Sequence, residues 1–524
     1  MDFTETDLTR KLNRRRFLAA LGAGAVIAQG MIGVGTVHAQ QMRPRRFVLR
    51  EDRFGRLFPR LPPFAQASEQ LTAALMEIGK PRGIMDPRDD LGDAQPPDAN
   101  PDNPTHTAGT TFMGQFFDHD LTFDLTSRLA VPTEPTRSPN LRSPAFDLDS
   151  VYGGGPREDP ELYEPRVGPG RRRGREPGIK LRIESGGLFE DLPRAADGVA
   201  IISDPRNDEN VIVAGIHAAA ILFHNHAVDV VAAANRRDSP EEVFRKAQRL
   251  TQWHYQWLVL HEFLPLFIGQ AAVDEILDRR RRFFTPRAGF IPVEFQAAAY
   301  RFGHSMVRSA YPPNLATGFL PIFDRTQDDS ADPDDLRGGV RAPRRFIDWQ
   351  TFFDFGPDAS GANRIRRNKQ IDTQLSTPLF DLPLFTFGGV GPTSLAQRNL
   401  LRHVTWGVPS GQRIAEAMRM PVLSAADLSE LKPLGLNLDT STPLFYYLLK
   451  EAQVVAKGLT LGPVGGRIVG EVFIGLLQLD RDSFLSVNPR WRPTLPDRFG
   501  RLPRDFRMVD FLTFAGVAPA QRGQ

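Results

Sequence analysis

The chain contains no cysteine among its 524 residues. Disulfides, thiolate nucleophiles, zinc–thiolate centres and iron–sulfur clusters are therefore excluded. It also lacks a charge excess, with 65 Lys and Arg against 62 Asp and Glu, a formal +3. The basic groups are mostly Arg, densest in RRRG at 171–174 and DRRRRFF at 278–284. Neither run interleaves aromatics as a nucleic-acid surface does, so both read as solvated faces and no nucleic-acid partner is expected. No internal repeat is found, no apolar alternation long enough for a sheet, and no Gly/Ser linker between helical blocks. The length would allow two or three domains. Without linkers it reads instead as one large helical domain, mainly α, with long irregular loops and little β.

The N-terminus is informative. NRRRFL at 13–18 precedes an uncharged, Ala- and Gly-rich stretch from Ala19 to Val37, which ends in TVHAQ. A charged, an apolar and a small-residue region in that order form an export signal. The paired arginines before Phe17 fit the route that carries folded proteins. The alternative is a membrane anchor, but the stretch is barely long enough to span and has no bulky apolar run. Cleavage near Ala39 is expected, with a periplasmic or secreted product and no stable membrane insertion. The chain divides into a signal over 1–39, an irregular N-terminal extension over 40–104, and one large helical domain over 105–524. GIMDPRDDLGDAQPPDANPDNP, 83–104, is too rich in Pro and Asp for regular structure. Apolar periodicity predicts helices over 107–124, 209–235, 239–269, 289–310, 393–403, 409–418, 441–455, 464–478 and 507–515. Loops fill 125–195 and 311–392.

Five stretches carry residues suited to chemistry. In MGQFFDHDLTFD, 113–124, Gln115 and His119 are four apart and lie about 40° from each other on a helix, facing one cavity together. Asp118 sits near the edge of that face, and Asp120 points about 100° away from His119. A solvated polar cluster is the bland alternative. In SPAFDLDSVYGGG, 143–155, an extended segment would turn Ser143, Ala145, Asp147 and Asp149 to one side. Two carboxylates, a hydroxyl and a carbonyl are hard oxygen donors suited to Ca²⁺, with Asp120 available as another. A solvated acidic turn fits the spacing equally well. In SDPRNDEN, 203–210, Arg206 and Glu209 are three apart before a long apolar helix. Either Asp204 or Asn207 caps that helix, or Arg206 is presented to an anion. In EFQAAAYRFGHSMV, 294–307, His304 follows Gly303 and Arg301 lies one turn earlier. A satisfied core histidine is the ordinary reading, yet the glycine would let a flat ligand approach. In QRNLLRHVTWGVPSGQ, 397–412, Asn399 and Arg402 share a face.

Taken in order, GQFFDHD, SPAFDLDSVYGG, DPRNDEN, YRFGH and RNLLRHVTWGVPSG resemble the animal haem peroxidase superfamily, the group of myeloperoxidase, lactoperoxidase and thyroid peroxidase, and especially its bacterial members. The resemblance spans about residues 105–480. It implies haem b and Ca²⁺ as cofactors, and hydrogen peroxide with a small aromatic or halide donor as partners. It implies that His119 is the distal histidine with Gln115 beside it, and that Arg206 is the distal arginine. It further implies that His304 is the proximal iron ligand, with Asn399 accepting from its other ring nitrogen. Arg301 and Arg402 stand as propionate partners. Asp120, Ser143, Ala145, Asp147 and Asp149 match the calcium site. Asp118 and Glu209 stand where mammalian members form haem ester links, and Asn210 where myeloperoxidase has a haem-bonded methionine. His217 and His224 stand at matching positions as structural residues, and His254 and His261 read as core or surface. Two alternatives stay open: a haem-dependent fatty-acid dioxygenase, and a non-catalytic calcium-stabilised haem-binding protein. The dioxygenase pattern wants a tyrosine three residues before the proximal histidine. That position is Arg301, and the tyrosine is Tyr300. The sequence leaves the oligomeric state open.

Overall fold

A computed structural model of the chain describes residues 53–89, 100–165, 177–185, 189–324, 330, 332–357, 359, 364–383, 391–502 and 505–518. The signal expected over 1–39 and the arginine run at 171–174 lie outside the described residues. The longer helices are α1 (Glu69–Ile78), α2 (Gly109–Leu121), α3 (Val211–Ala234), α4 (Pro240–Leu258), α5 (Gln270–Arg279), α6 (Leu395–Trp406), α7 (Gly411–Met418), α8 (Leu444–Ala456), α9 (Pro463–Leu479) and α10 (Met508–Phe514). Strands form five two-stranded pairings among the described residues, with no larger sheet. The fold is mainly α, as the sequence implies.

Local chemistry sets half of these helix starts. Ser68, Asn210, Ser239, Ser394 and Ser410 each accept a backbone N–H of the first turn, and α4 adds a capping box with Glu242 and Pro240 at its first position. At the centre stands α3, 24 residues long and mostly apolar. By length and composition it could cross a membrane, but 89% of its apolar window is buried inside the fold. Phe223 of α3 stacks on Phe511 of α10 with centroids 4.1 Å apart. One contiguous apolar core runs from Phe54 to Val517.

Buried carboxylates connect segments far apart in sequence, in a chain with no disulfide. Glu294 accepts from Leu57 N and Phe58 N at 2.8 and 2.9 Å. Glu471 accepts from the backbone of Arg282, Phe283 and Phe284. Glu451 accepts from Val464 N and Gly465 N at the start of α9. Charge-assisted bonds of this kind are stronger than neutral ones.

Three expectations change. The extension over 40–104 contains α1, which packs on α6 and is tied to it by Gln397 Nε2 donating to Met76 O at 2.7 Å. Strand Asp102–Thr107 pairs antiparallel with Arg367–Lys369 and leads directly into α2. The helix begins there in close quarters: a Cβ on Gly109 would lie 2.4 Å from the Phe353 ring. The helix expected over 289–310 is broken into Val293–Gln296, a 3₁₀ turn Ala299–Arg301, and Gly303–Met306. Ala298 leaves helical geometry at φ −134, ψ −70. The Gln296 carbonyl, which helix continuation would give to Tyr300 N, instead accepts Arg301 Nε at 2.6 Å.

Candidate active site

Helix α2 brings Gln115, Asp118, His119 and Asp120 into the protein, and the last three are buried, which replaces the solvated-cluster reading. His119 Nδ1 lies 2.9 Å from Asn207 Oδ1. A carbonyl oxygen only accepts, so Nδ1 carries the hydrogen and Nε2 keeps its lone pair. Burial, then the charge of Arg206, lowers the His119 pKa to about 4, so the ring is neutral at ordinary pH. Asn207 Nδ2 donates in turn to His217 Nδ1 at 2.9 Å. His217, a structural residue by sequence, thus reaches the site through one amide. Nothing in the spacing of Asn207 and His217 marks this; it follows from where the 3₁₀ turn Pro205–Asp208 lies against α2. His224 is structural, held by the Tyr152 hydroxyl and the Ile179 carbonyl. His254 accepts Thr494 N and Leu495 N, and His261 stacks on Trp257.

Arg206 is clamped. Its Nε and Nη2 donate to the two Asp204 oxygens at 3.0 and 2.7 Å, and Nη2 also reaches His119 O at 3.0 Å. Its guanidinium carbon stands 4.2 Å from the Phe123 ring centroid. Only Nη1 remains for a ligand, so the arginine is not freely presented to an anion. The cap of α3 is also neither expected residue: Asp204 caps only the 3₁₀ turn, and Asn210 accepts Ile212 N and Val213 N. Asn210 Nδ2 also donates to Gln115 Oε1 at 3.2 Å, while Gln115 Nε2 donates to Glu209. Glu209 therefore pairs with Gln115, not with Arg206 as a first-turn partner. Its side chain is exposed by surface, yet desolvation by surrounding protein is the largest influence on it and raises its pKa to about 7.

The broken segment carries His304. Burial, then the charge of Arg301, lowers its pKa to about 3, so this ring is neutral as well. Its Nδ1 lies 2.7 Å from Asn399 Nδ2 on α6. In that orientation Nδ1 accepts and Nε2 carries the hydrogen. Asn399 was expected to accept; that requires its amide turned by half a turn, with Oδ1 toward Nδ1–H. Arg301 Nη1 donates to Asp118 Oδ2 at 3.1 Å, so the residue before His119 is bridged to the segment bearing His304. Arg402 donates to Asp124 Oδ2 at 2.8 Å and to Ser127 O at 3.0 Å. Both arginines expected to meet propionates already hold internal carboxylates. A haem fits the residues present: a Cβ on Gly303 would meet nothing within 4 Å, which leaves open space beside a neutral imidazole.

The acidic loop closes on Asp120. One carboxylate oxygen each from Asp120, Asp147 and Asp149 lies within 4.8 Å of the others. Asp120 is fully buried and accepts Leu148 N, Ser150 N and Oγ, and the Tyr255 hydroxyl. Burial and then its two acidic neighbours push its carboxyl well above the usual range. Leu148 adopts the left-handed conformation, φ 57, uncommon without glycine, and it is held there with its N–H on Asp120. The segment is curled and not extended: Ser143 Oγ donates to Asp147 Oδ2 at 2.7 Å, and Asp149 opens a helical turn. Ala145 has only its carbonyl to offer. Three carboxylates held this close, with Arg142 reaching only Asp149 at 3.4 Å, are the hard oxygen donors that a divalent, oxygen-seeking ion takes.

The chain is mainly helical, and an Asp118–Arg301 bridge joins the segments that carry its two neutral histidines, His119 and His304. Peroxidase A from Dictyostelium discoideum has the same fold, with a TM-score of 0.58 at 15% identity, covering 90% of this chain and 94% of that one. The fatty-acid α-dioxygenase of Arabidopsis thaliana gives 0.54 at 14% identity, covering 84% and 75%. In sequence, a peroxidase-like protein of Margaritifera margaritifera is 27% identical over 209 residues, 37% of this chain and 26% of that protein. Heme peroxidase 2 of Caenorhabditis elegans is 27% identical over 115 residues, 21% of this chain and 16% of that protein. The matched segment spans only 7% of the dual oxidase of Drosophila melanogaster. The chain thus covers about a quarter or less of these relatives' lengths. Residues 126–317 match the animal haem peroxidase family, a segment that includes the acidic loop, Arg206 and His304. The segment match and the shared fold support assignment to the animal haem peroxidase superfamily.

Proposed function

We propose that the chain is an exported haem peroxidase that reduces hydrogen peroxide and oxidises small aromatic donors or halides. The observation that carries this reading is the pinned tautomer of His119, a buried neutral imidazole with Nδ1–H engaged and Nε2 left as a base. Removing a proton from hydrogen peroxide needs such a group. Haem, when bound, supplies the redox chemistry. His304 would hold it through Nε2, with Asn399 turned to accept from Nδ1 and fix the ring. Arg301 and Arg402 would exchange Asp118 and Asp124 for propionates. His119 takes a proton at Nε2 while its Nδ1–H stays on the Asn207 carbonyl, and returns that proton to the departing oxygen as water forms. Arg206 Nη1 donates to the charge developing on that oxygen, and its clamp on Asp204 fixes its direction. Gln115, held by Glu209 and Asn210, supplies a further polar group beside His119. Asp118 and Glu209 are the carboxyls available for ester links to haem. Calcium on Asp120, Ser143, Ala145, Asp147 and Asp149 would pin the end of α2 and so His119. Residues 1–39 would direct export to the periplasm or beyond, and 105–524 would form the catalytic unit.

The purified full chain should show a Soret band and peroxide-dependent oxidation of guaiacol or iodide. A colourless protein would sink the reading. His119→Ala should keep haem and lose peroxide consumption, and His304→Ala should lose stable haem ligation. A second reading, fatty-acid oxygenation, is favoured by the likeness to α-dioxygenase structures. Against it, Arg301 stands three residues before His304, and Tyr300 donates its hydroxyl to the Gly114 carbonyl. Oxygen uptake with a fatty acid and no peroxide would favour this second reading.

A further inference from the structure

The His119–Asn207–His217 chain has a consequence that rests on the proposed role of His119. An amide has one accepting end and one donating end. Asn207 faces Nδ1 of a histidine at both ends, each at 2.9 Å, and all three residues are buried. Burial lowers the His217 pKa to about 3, so that ring carries one proton. With both rings neutral, only one Nδ1 of the pair can bear hydrogen while both bonds persist. If the amide turns over, His119 becomes the acceptor and its proton moves to Nε2, the atom that must be a base.

We propose that His217 is a positioning residue for the candidate reaction: by accepting from Asn207, it locks the amide and thereby fixes the working tautomer of His119. His217 never touches peroxide. The chain is a holding device and not a proton wire, because an amide between two imidazoles donates its own N–H and passes nothing on. When His119 takes a proton at Nε2, its Nδ1–H still points at Asn207 Oδ1. That carbonyl is polarised by the bond its own amide makes to His217, which favours the charged ring.

Neutron diffraction from deuterated crystals of the full chain, paired with rates of peroxide consumption, tests this. Deuterium is expected on His119 Nδ1 and absent from His217 Nδ1. His217→Phe, which keeps a ring and removes the acceptor, should leave His119 with deuterium divided between its nitrogens. Its peroxide consumption should fall by on the order of 10²-fold at unchanged haem content. His217→Gln, whose side-chain oxygen can accept from Asn207, should restore the rate to within a few-fold. Deuterium on His119 Nε2 in the wild type would overturn the assignment, as would a His217→Phe protein at the wild-type rate. Should His217→Phe fail to fold, Asn207→Leu is the second variant, with the same expected loss and the same overturning result. A wild type that ignores peroxide yet shows the predicted deuterium pattern would sink the peroxidase reading and leave the lock standing.

Discussion

Asp120 and Asp204 are both fully buried aspartates beside the same helix end, and their carboxyls are driven in opposite directions. Burial pushes both up. Asp204 then sits between Arg206 and Arg142, whose charges take it far below the usual range. Asp120 instead faces Asp147 and Asp149, and like charges keep it high. Arg142 joins the two regions, donating Nε to Asp204 at 2.8 Å and Nη1 to Asp149 at 3.4 Å. Depth of burial therefore says little about a carboxylate; the sign of its neighbours decides. One region is complete within the chain. The other gathers three carboxylates against one guanidinium, and is the proposed calcium site.

The largest test of this contrast is Asp204→Ala. It would leave the buried Arg142 and the partly buried Arg206 without their shared carboxylate, and denaturant unfolding should show a loss of about 3–5 kcal/mol. An unchanged midpoint would mean that Asp204 compensates nothing. Calcium should act in the opposite sense on the other region. With free calcium a hundredfold above its Kd, the native state should gain about 2.7 kcal/mol over the chelated protein. Asp120→Asn should lose that increment and, in chelator, be no less stable than the wild type. A melting temperature indifferent to chelation would remove the cation from the account.

Glu451 extends the comparison to a carboxylate with neither cation nor like charge, only the N–H groups of Val464 and Gly465. Desolvation raises its pKa from 4.5 to about 7. A raised carboxyl means that between these values the native state keeps a proton that the unfolded state has released. Stability then falls as pH rises from about 4.5 to about 7, by up to about 3 kcal/mol for this group. Unfolding of Glu451→Gln at both ends of that window should show a correspondingly flatter pH dependence than the wild type. A parallel pair of curves would show that Glu451 does not titrate there. The smallest effect belongs to Arg157, whose ion pair with Glu241 is mostly exposed. Arg157→Ala should leave the unfolding midpoint unchanged within error, since solvent screens such pairs.

Much of the framework is legible in one dimension. Helices α2, α3, α8 and α9 follow from apolar spacing, although the cap of α3 proved to be Asn210 and not Asp204 or Asn207. The residues that hold His119 are less accessible. Asn207 lies 88 positions away from it, and His217 reaches it only through Asn207. The broken segment before His304 was equally hidden, because a guanidinium and not a proline takes the carbonyl that helix continuation needed. The same holds for Arg206, whose counter-ion is two residues away yet whose third bond lands on the backbone of α2.

The sequence by itself determined which residue types could do chemistry here: no thiols, two histidines in distinctive settings, and an acid-rich loop, within a chain patterned for helices. Periodicity and capping are local, so the sequence displays them directly. Tertiary structure alone decided the partners. It set which nitrogen of His119 holds its proton, that Arg206 is clamped, and that Asp120 is crowded by like charge while Asp204 is neutralised. Those outcomes depend on distances of a few ångströms between segments far apart in the chain. At those distances, out of water, electrostatics and hydrogen bonding are strong enough to fix the state of each group.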